Sequence, residues 1–187
     1  MSLVSAPNRM RGFLAAGLLC VMISAPVTAM ETLDFSVTGP GAGLLKDLRG
    51  ASGLVAAEKQ KQTDPQGLFS KARAEYGALV SALYARGYYS GVVHVFIDGR
   101  EVATIPPLDA PNSIRRVKVT VETGPLFAFS KADVAPLAPR TEMPPGFAVG
   151  KKAESDVITQ AVIAGVDGWR GKGHAKAKTA SQLIIAD

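Results

Sequence analysis

The sequence predicts an α+β fold in which a unit of strand, helix, helix, strand and strand occurs twice, the second time incompletely. Apolar side chains recur at helical spacing between Asp64 and Gly87. Valines alternate with polar residues from Arg115 to Glu122, which is typical of a strand with one buried face. The helix ending then recurs at an offset of 86 residues, the distance from Gly87 to Gly173. A repeated α+β unit explains all three observations.

Residues 1–29 have the pattern of a secretory signal peptide. Arg9 and Arg11 precede an uncharged run over 12–23, and small residues at 27–29 provide a cleavage point before Met30. The alternative is an uncleaved membrane anchor, but spanning a bilayer takes roughly 20 apolar residues and this run is shorter. We therefore expect the signal peptide to be removed and the protein to be exported.

The cysteine count and the net charge limit the cellular compartments and the classes of partner that fit this chain. Cys20 is the only cysteine and lies within the signal peptide, so the mature chain has none. An exported protein without disulfides suits a bacterial periplasm better than an animal extracellular space. Losing Arg9 and Arg11 lowers the formal charge from +5 to +3, and the remaining basic residues are interspersed with acids. This pattern gives little support to nucleic-acid binding.

The mature chain begins with a strand and a weak helix. Leu33, Phe35 and Val37 alternate with polar neighbours, which predicts the first strand. The glycine-rich stretch 39–43 lacks the Gly-Lys-Ser/Thr ending of a phosphate loop, so we interpret it as a turn. Leucines then open a weaker helix over 44–55, which Gly50 and Gly53 loosen within the same stretch.

The next helix has clear start and stop signals. Asp64 can cap free backbone N–H groups, and Pro65 stands where its missing N–H costs nothing. Gly87 follows Arg86 as a left-handed stop. The predicted buried face consists of apolar residues at helical spacing: Leu68, Ala72, Tyr76, Val80 and Leu83.

A hairpin and a closing strand follow this helix. Residues 92–97 are mostly β-branched or aromatic, and Asp98-Gly99 favours a two-residue turn. The sequence thus predicts a return strand over 100–105, which Pro106 and Pro107 end. The alternating strand then closes the unit at Thr123-Gly124-Pro125.

The unit restarts after Pro125. Leu126, Phe127 and Phe129 predict an extended segment, and a second helix is predicted from Ser155 or Asp156. We expect Val157, Ala161 and Ala164 to share one side of this helix. Its end matches the first copy, with Val80, Leu83, Arg86 and Gly87 corresponding to Val166, Trp169, Lys172 and Gly173. Trp169 is therefore predicted to anchor a core, and the chain divides into domains at 30–125 and 126–187, the second without a closing strand.

The residues do not form a recognisable catalytic set. His94 and His174 are the only histidines, and neither has a partner at metal-ligand spacing. The serines stand in no nucleophile-elbow motif, and the mature chain lacks cysteine. We therefore expect a non-enzymatic protein without a metal or cofactor.

The helix and hairpin motifs resemble a known family. The helix end Gly87-Tyr88-Tyr89, the Ile-Asp-Gly hairpin at 97–99 and the closing Gly124-Pro125 occur together in the order seen in POTRA domains. More narrowly, the chain resembles the N-terminal periplasmic region of TamA-like outer-membrane assembly proteins. The resemblance covers almost the whole mature chain, as tandem POTRA-like domains of which the second is partial.

This resemblance implies a function in outer-membrane protein assembly and autotransporter secretion. The implied partners are a TamB-like inner-membrane protein and unfolded outer-membrane β-proteins. TamA-like proteins end in a β-barrel, and even eight strands need roughly 80 residues. Fewer residues follow Gly124, so we expect a truncated product whose outer-membrane contact depends on a barrel supplied by a full-length protein.

The expected binding mode is addition of a client strand to a sheet edge, which is called β-augmentation. The predicted partner-binding residues lie on the hairpin strand and at the helix exit: Val92, Val93, His94, Val95, Phe96, Ile97, Tyr84 and Tyr88. The groove beside the 68–83 helix is expected to contribute. The alternative function is a POTRA-type scaffold of a division or two-partner secretion system, which would keep residues 1–29 as an anchor.

Overall fold

The computed structural model describes residues 30–185, which contain a four-stranded mixed sheet and four α-helices. The predicted signal peptide at 1–29 lies outside the described residues. Between residues 30 and 185, no helix combines the length and the apolar composition needed to cross a membrane. The predicted α+β class is thus confirmed at the level of a mixed sheet with helices.

The elements follow one another in nearly the predicted order. The strands and helices are β1 (Thr32–Thr38), α1 (Leu45–Ala51), α2 (Gly53–Lys59), α3 (Pro65–Tyr84), β2 (Val92–Ile97), β3 (Arg100–Glu101), β4 (Arg116–Glu122) and α4 (Ser155–Arg170). Short 3-10 turns occur at Ala42–Leu44, Val102–Thr104 and Pro107–Asp109.

The strand order in the sheet is β1-β4-β2-β3. β4 lies between β1, which runs parallel to it, and β2, which runs antiparallel. Val119 of β4 stands opposite both Phe35 and Val95, so the three strands share one register. The last strand of the sheet in sequence is therefore a central one, and β1 and β3 form the edges.

One face of the sheet packs on the helices. The three alternating valines of β4 are at most 1% exposed, as the sequence pattern predicts. They belong to a single apolar cluster with fully buried leucines of the helices: Leu48, Leu54, Leu68, Leu79 and Leu83. Among the described residues, this cluster contains no residue that follows Val121 in the sequence. The core thus belongs to the first part of the chain.

The start and end of α3 confirm the sequence prediction. The Asp64 carboxylate accepts hydrogen bonds from the N–H groups of Gln66 and Gly67 at 3.3 and 2.7 Å. At the other end Gly87 has φ of +82°, and the N–H of Tyr88 donates to the Leu83 carbonyl at 3.0 Å. This is the Schellman ending that glycine favours.

The helix ending recurs in the second part of the chain. Gly173 has φ of +92°, and the N–H of His174 donates to the Trp169 carbonyl at 3.2 Å. The N–H of Gly173 donates to the Arg170 carbonyl at 3.0 Å. The two helix ends thus have the same hydrogen-bond pattern at the positions that the sequence comparison aligned.

Two elements are shorter than the sequence predicts. The weak helix over 44–55 is replaced by α1 and α2, which break at Ser52 because its hydroxyl caps α2 by accepting the Val55 N–H at 3.0 Å. The return strand predicted over 100–105 is limited to β3. The chain leaves the sheet after Glu101 because Val102 and Ile105 turn into the core, where they are 0% and 2% exposed.

The second part of the chain contains α4 without a sheet among the described residues. The extended segment predicted after Pro125 makes only an isolated bridge between Ala128 and Lys152. On α4, Ala161 is fully buried, whereas Val157 and Ala164 are half-buried. The three residues thus share one side of the helix but differ in burial. The helix packs against loops instead of strands.

Trp169 is not the core anchor that its alignment with Leu83 predicts. Leu83 is 1% exposed, whereas Trp169 is half-buried beside the His174 ring at a centroid distance of 5.1 Å. The physical reason is that residues 175–185 form no strand and are mostly exposed, so they do not cover the indole.

Glu75 is a buried acid that the sequence pattern did not single out. It is 1% exposed on α3, and its Oε2 accepts hydrogen bonds from the N–H groups of Gly53 and Leu54 at 3.0 and 3.2 Å. Oε1 is buried without a partner among the described residues. Burial raises the pKa of Glu75, although these hydrogen bonds oppose the effect. Glu75 therefore joins α3 to the start of α2 at an electrostatic cost.

We expect Glu75→Gln to flatten the dependence of stability on pH. A raised folded pKa means that the native state binds more protons than the unfolded state above the ordinary value of 4.5. The free energy of unfolding should then be highest below that value and fall as pH rises through the folded pKa. Urea unfolding at pH values from below 4.5 to above the folded pKa of Glu75 measures this change in the free energy of unfolding. Glu58→Gln, on the exposed surface of α2, is the control. An unchanged slope in Glu75→Gln contradicts the assignment.

We also expect opposite effects from two glycine substitutions on the same helix. Gly77 is within α3, and an added Cβ would meet nothing within 4 Å, so Gly77→Ala should stabilise by about 0.5–1 kcal/mol. Gly87→Ala should destabilise by about 1 kcal/mol or more, because φ is positive and the Cβ would lie 3.2 Å from Leu126. Thermal unfolding measures both, and equal effects would contradict the Schellman assignment.

Candidate functional site

The candidate site is the side of β2 that faces away from β4. β2 pairs with β4 along its whole length, from Val92 opposite Glu122 to Ile97 opposite Val117. On its other side β3 pairs only with Phe96 and Ile97. No strand covers the outer side of residues 92–95 in the described structure.

The backbone groups of alternate β2 residues point to opposite sides. The Asp98 N–H donates to the Arg116 carbonyl at 2.9 Å, which fixes the even-numbered residues as those bonded to β4. The N–H and C=O groups of Val93, Val95 and Ile97 consequently point outward. Ile97 stands opposite Arg100 of β3, so Val93 and Val95 form the part of the edge that no strand covers.

Side chains already contact the backbone of Val95. Its N–H donates to Glu101 Oε1 at 3.2 Å, and the Tyr76 hydroxyl lies 3.3 Å from its carbonyl oxygen. No comparable side-chain contact reaches Val93 from the described residues. The outer edge of β2 is therefore open at Val93 and occupied at Val95.

Tyr76, Glu101 and His94 form a polar cluster beside this edge. The Tyr76 hydroxyl donates to the Glu101 carboxylate and accepts the Ala103 N–H at 3.2 Å. His94 Nδ1 lies 3.3 Å from Glu101 Oε2. Burial, together with the hydrogen bond to Glu101, raises the pKa of Tyr76 to about 12. The hydroxyl therefore remains protonated at neutral pH and remains a donor.

The chain itself fills the groove between this edge and α3 on the hairpin side. Val102 and Ile105 are buried there, and Arg73 of α3 donates to the Ile105 carbonyl at 3.0 Å. The predicted groove beside the 68–83 helix is thus occupied by residues 101–105 at this end, so a bound segment would make its first contacts at Val93.

The predicted β2 site residues divide between the two faces of the sheet. Val93, Val95 and Ile97 are 9%, 0% and 2% exposed and pack toward the core. Val92 is 45% exposed, and His94 stacks on Phe96 at a centroid distance of 6.1 Å. A partner at the edge would therefore meet the backbone of Val93 and Val95 instead of their side chains.

The tyrosines at the end of α3 connect the two parts of the chain. Tyr88 is 9% exposed and belongs to the core. Tyr84 packs on Tyr89 at 4.8 Å, and Tyr89 meets Phe127 edge-on at 5.7 Å. The Tyr89 hydroxyl also donates to the Ala153 carbonyl at 2.6 Å. The structure thus connects Tyr84 with the second part of the chain through Tyr89.

Two surface depressions occur among the described residues. One, of about 580 Å³, is lined by Trp169, His174 and Lys176 with small neighbours. The other, of about 280 Å³, is lined by Phe96, Gly99, Arg116 and Lys118. Neither lining contains a carboxylate, a hydroxyl or a thiol side chain. The described residues also contain no group of three His, Cys, Asp or Glu side chains placed to hold a metal.

The sequence did not identify Glu101 as a residue of the edge, and it assigned Tyr76 to the apolar face of α3. Glu101 follows the hairpin turn by two residues, a position that in sequence looks like ordinary strand surface. Only the early end of β3 brings its carboxylate back to Val95.

No protein-family model matches the chain, and no curated protein matches it.

We expect Glu101→Ala to lower the pKa of Tyr76 from about 12 toward its ordinary value of 10.0. Removing the carboxylate eliminates the acceptor of the hydroxyl proton and a nearby negative charge, while burial persists. The fall should therefore be partial. Tyrosinate absorbance during a pH titration measures it, with Tyr76→Phe identifying the contribution of Tyr76. Glu122→Ala, on the open face of β4, is the control, and an equal change there would contradict the contact.

Proposed function

We propose that this protein is a periplasmic binding module of the POTRA type, which takes up an extended segment of another protein as an added strand beside β2. The observation that carries the proposal is the open edge at Val93, whose backbone N–H and C=O point outward without a strand partner. Such unpaired groups can pair with another chain in the same way as a neighbouring strand.

The arrangement of strands supports the POTRA assignment. The resemblance implies the order strand, helix, helix, strand and strand. The observed order supports it if α1 and α2 together count as the first helix and β3 as a short addition between β2 and β4. The helices pack on one face of the mixed sheet, which leaves its edges accessible. The Gly87 ending closes α3, and the Asp98-Gly99 turn joins β2 to β3, so both motifs that carry the resemblance lie at the ends of elements.

Backbone pairing suits a client whose sequence varies. Strand addition uses main-chain hydrogen bonds, and the side chains of the bound segment contribute mainly through alternate positions. Unfolded outer-membrane β-proteins, including autotransporters, consist of short alternating segments whose backbone groups are unpaired. We propose these proteins as the clients and a TamB-like inner-membrane protein as the partner.

The proposed location follows from the start of the sequence. Residues 1–29 have the features of a signal peptide, and the mature chain has no cysteine. We therefore propose the periplasm, with association to the outer membrane through the barrel of a full-length protein. The His94, Glu101 and Tyr76 side chains contact one another and the strand edge, where they fit a role in controlling access to the backbone of β2.

We expect Val93→Pro to weaken the binding of an extended peptide by at least roughly tenfold. Proline removes the outward N–H and crowds the edge, while the ladder to β4 persists because the Val93 N–H is not part of it. The probe is a blocked peptide of about eight alternating Val and Thr residues, the length of an ordinary strand. Fluorescence anisotropy measures its affinity, and circular dichroism checks the fold.

The matched control is Val37→Pro, which places proline on the outer side of β1 at the opposite edge. The Thr123 N–H donates to the Thr38 carbonyl, so the backbone of Val37 points away from β4. Its affinity for the peptide should equal that of the wild type. If Val37→Pro lost binding while Val93→Pro kept it, the site would lie on β1 instead. No binding by the wild type would contradict the proposal.

A further inference from the structure

Glu101 and Tyr76 occupy hydrogen-bonding positions that a strand added to β2 would need. We propose that these two side chains form a latch that closes the Val95 end of the edge, so that an extended client must displace Glu101 to pair beyond Val93. This inference rests on the proposed function and concerns its regulation. We refer to Glu101 and Tyr76 together as the Glu101–Tyr76 latch.

The spacing of a strand ladder shows why the latch matters. A strand added beside β2 bonds to every second residue, which here means Val93 and then Val95. Val93 is open, but the N–H of Val95 already donates to Glu101 Oε1 and its carbonyl already faces the Tyr76 hydroxyl. A client can therefore pair with Val93 without breaking an existing hydrogen bond. To pair with Val95 next, it must break the contacts that Glu101 and Tyr76 already make there.

The latch is held by several contacts on both of its members. The Glu101 carboxylate receives the Val95 N–H, the Tyr76 hydroxyl and, on its other oxygen, an approach from His94 Nδ1 at 3.3 Å. The Tyr76 hydroxyl in turn accepts the Ala103 N–H at 3.2 Å. These contacts orient the side chains before any client arrives.

The latch can also be opened without unfolding the domain. The Glu101 side chain is 22% exposed, so its carboxylate reaches water after a rotation. Val102, the next residue, is fully buried and keeps the backbone in place. When the latch opens, the Val95 N–H exchanges its acceptor, Glu101 Oε1, for a carbonyl oxygen of the client. The net free-energy cost of opening is then comparable to that of one modest hydrogen bond.

A charged side chain turned onto a strand edge has a recognised protective effect. Exposed edges pair with any extended chain, and proteins commonly limit this with inward-pointing charges or short neighbouring strands. The short β3 and Glu101 together provide both devices at one end of β2. The latch would then reject short or irregular segments, which pair only at Val93, and admit segments long enough to compensate for displacing Glu101.

The decisive variant is Glu101→Ala, tested with the same alternating Val and Thr peptide. Its affinity should rise by roughly tenfold, because the peptide no longer competes with a hydrogen bond to a charged group. Tyr76→Phe, which removes only the hydroxyl, should raise it by a smaller factor. Glu122→Ala removes the same charge at a position that does not contact Val95, and its affinity should match the wild type.

Hydrogen exchange at the Val95 amide provides a second readout. The amide should exchange faster in Glu101→Ala than in the wild type, and peptide binding should restore its protection. If Glu101→Ala does not fold, Glu101→Gln keeps the shape of the side chain without its charge, and its affinity should also exceed that of the wild type.

The outcomes separate the latch from the proposed function. If the wild type binds and Val93→Pro does not, while Glu101→Ala or its Gln substitute gains no affinity, the latch is wrong and edge binding stands. If neither the wild type nor the Glu101 variants bind, edge binding fails and the latch fails with it. Binding by the wild type, its loss in Val93→Pro and a gain of affinity in Glu101→Ala together support both.

Discussion

The central strand β4 pairs along its full length with β1 on one side and β2 on the other. The ladder to β1 joins the beginning of the described chain to residues 84 positions later, and α1, α2 and α3 lie between these two strands in the sequence. Because β4 is fully paired, it has no free backbone, and the remaining hydrogen-bonding capacity of the sheet is restricted to β1, β2 and β3. The location of a possible strand-binding site is thus a consequence of this pairing.

The helix layer depends on the same sheet and on one buried carboxylate. Glu75 of α3 is 1% exposed and holds the start of α2 through the N–H groups of Gly53 and Leu54. Two short helices of seven residues each are marginal alone, so their positions are set by this contact and by burial of their leucines. The same packing of Val93 and Val95 against α3 leaves only their backbone groups available at the edge.

The outer side of β2 combines two opposing requirements. An edge must expose unpaired backbone groups to accept an extended client, yet the same groups invite uncontrolled pairing. In this structure the two requirements are met at neighbouring positions, with Val93 open and Val95 bonded to Glu101. The polar cluster around Tyr76 lies at this boundary, and each of its members contacts another member or the strand backbone.

The sequence by itself determined the elements whose signals are local. The Asp64 cap, the Gly87 ending and its recurrence at Gly173, and the alternation of β4 depend on residues close together in the chain, where backbone sterics and periodicity act directly. Tertiary structure alone decided the strand order, the burial of Glu75, the incomplete burial of Trp169 and the contact of Glu101 with Val95. These features depend on which distant segments meet, and a residue pattern within one element contains no information about its partner across the sheet.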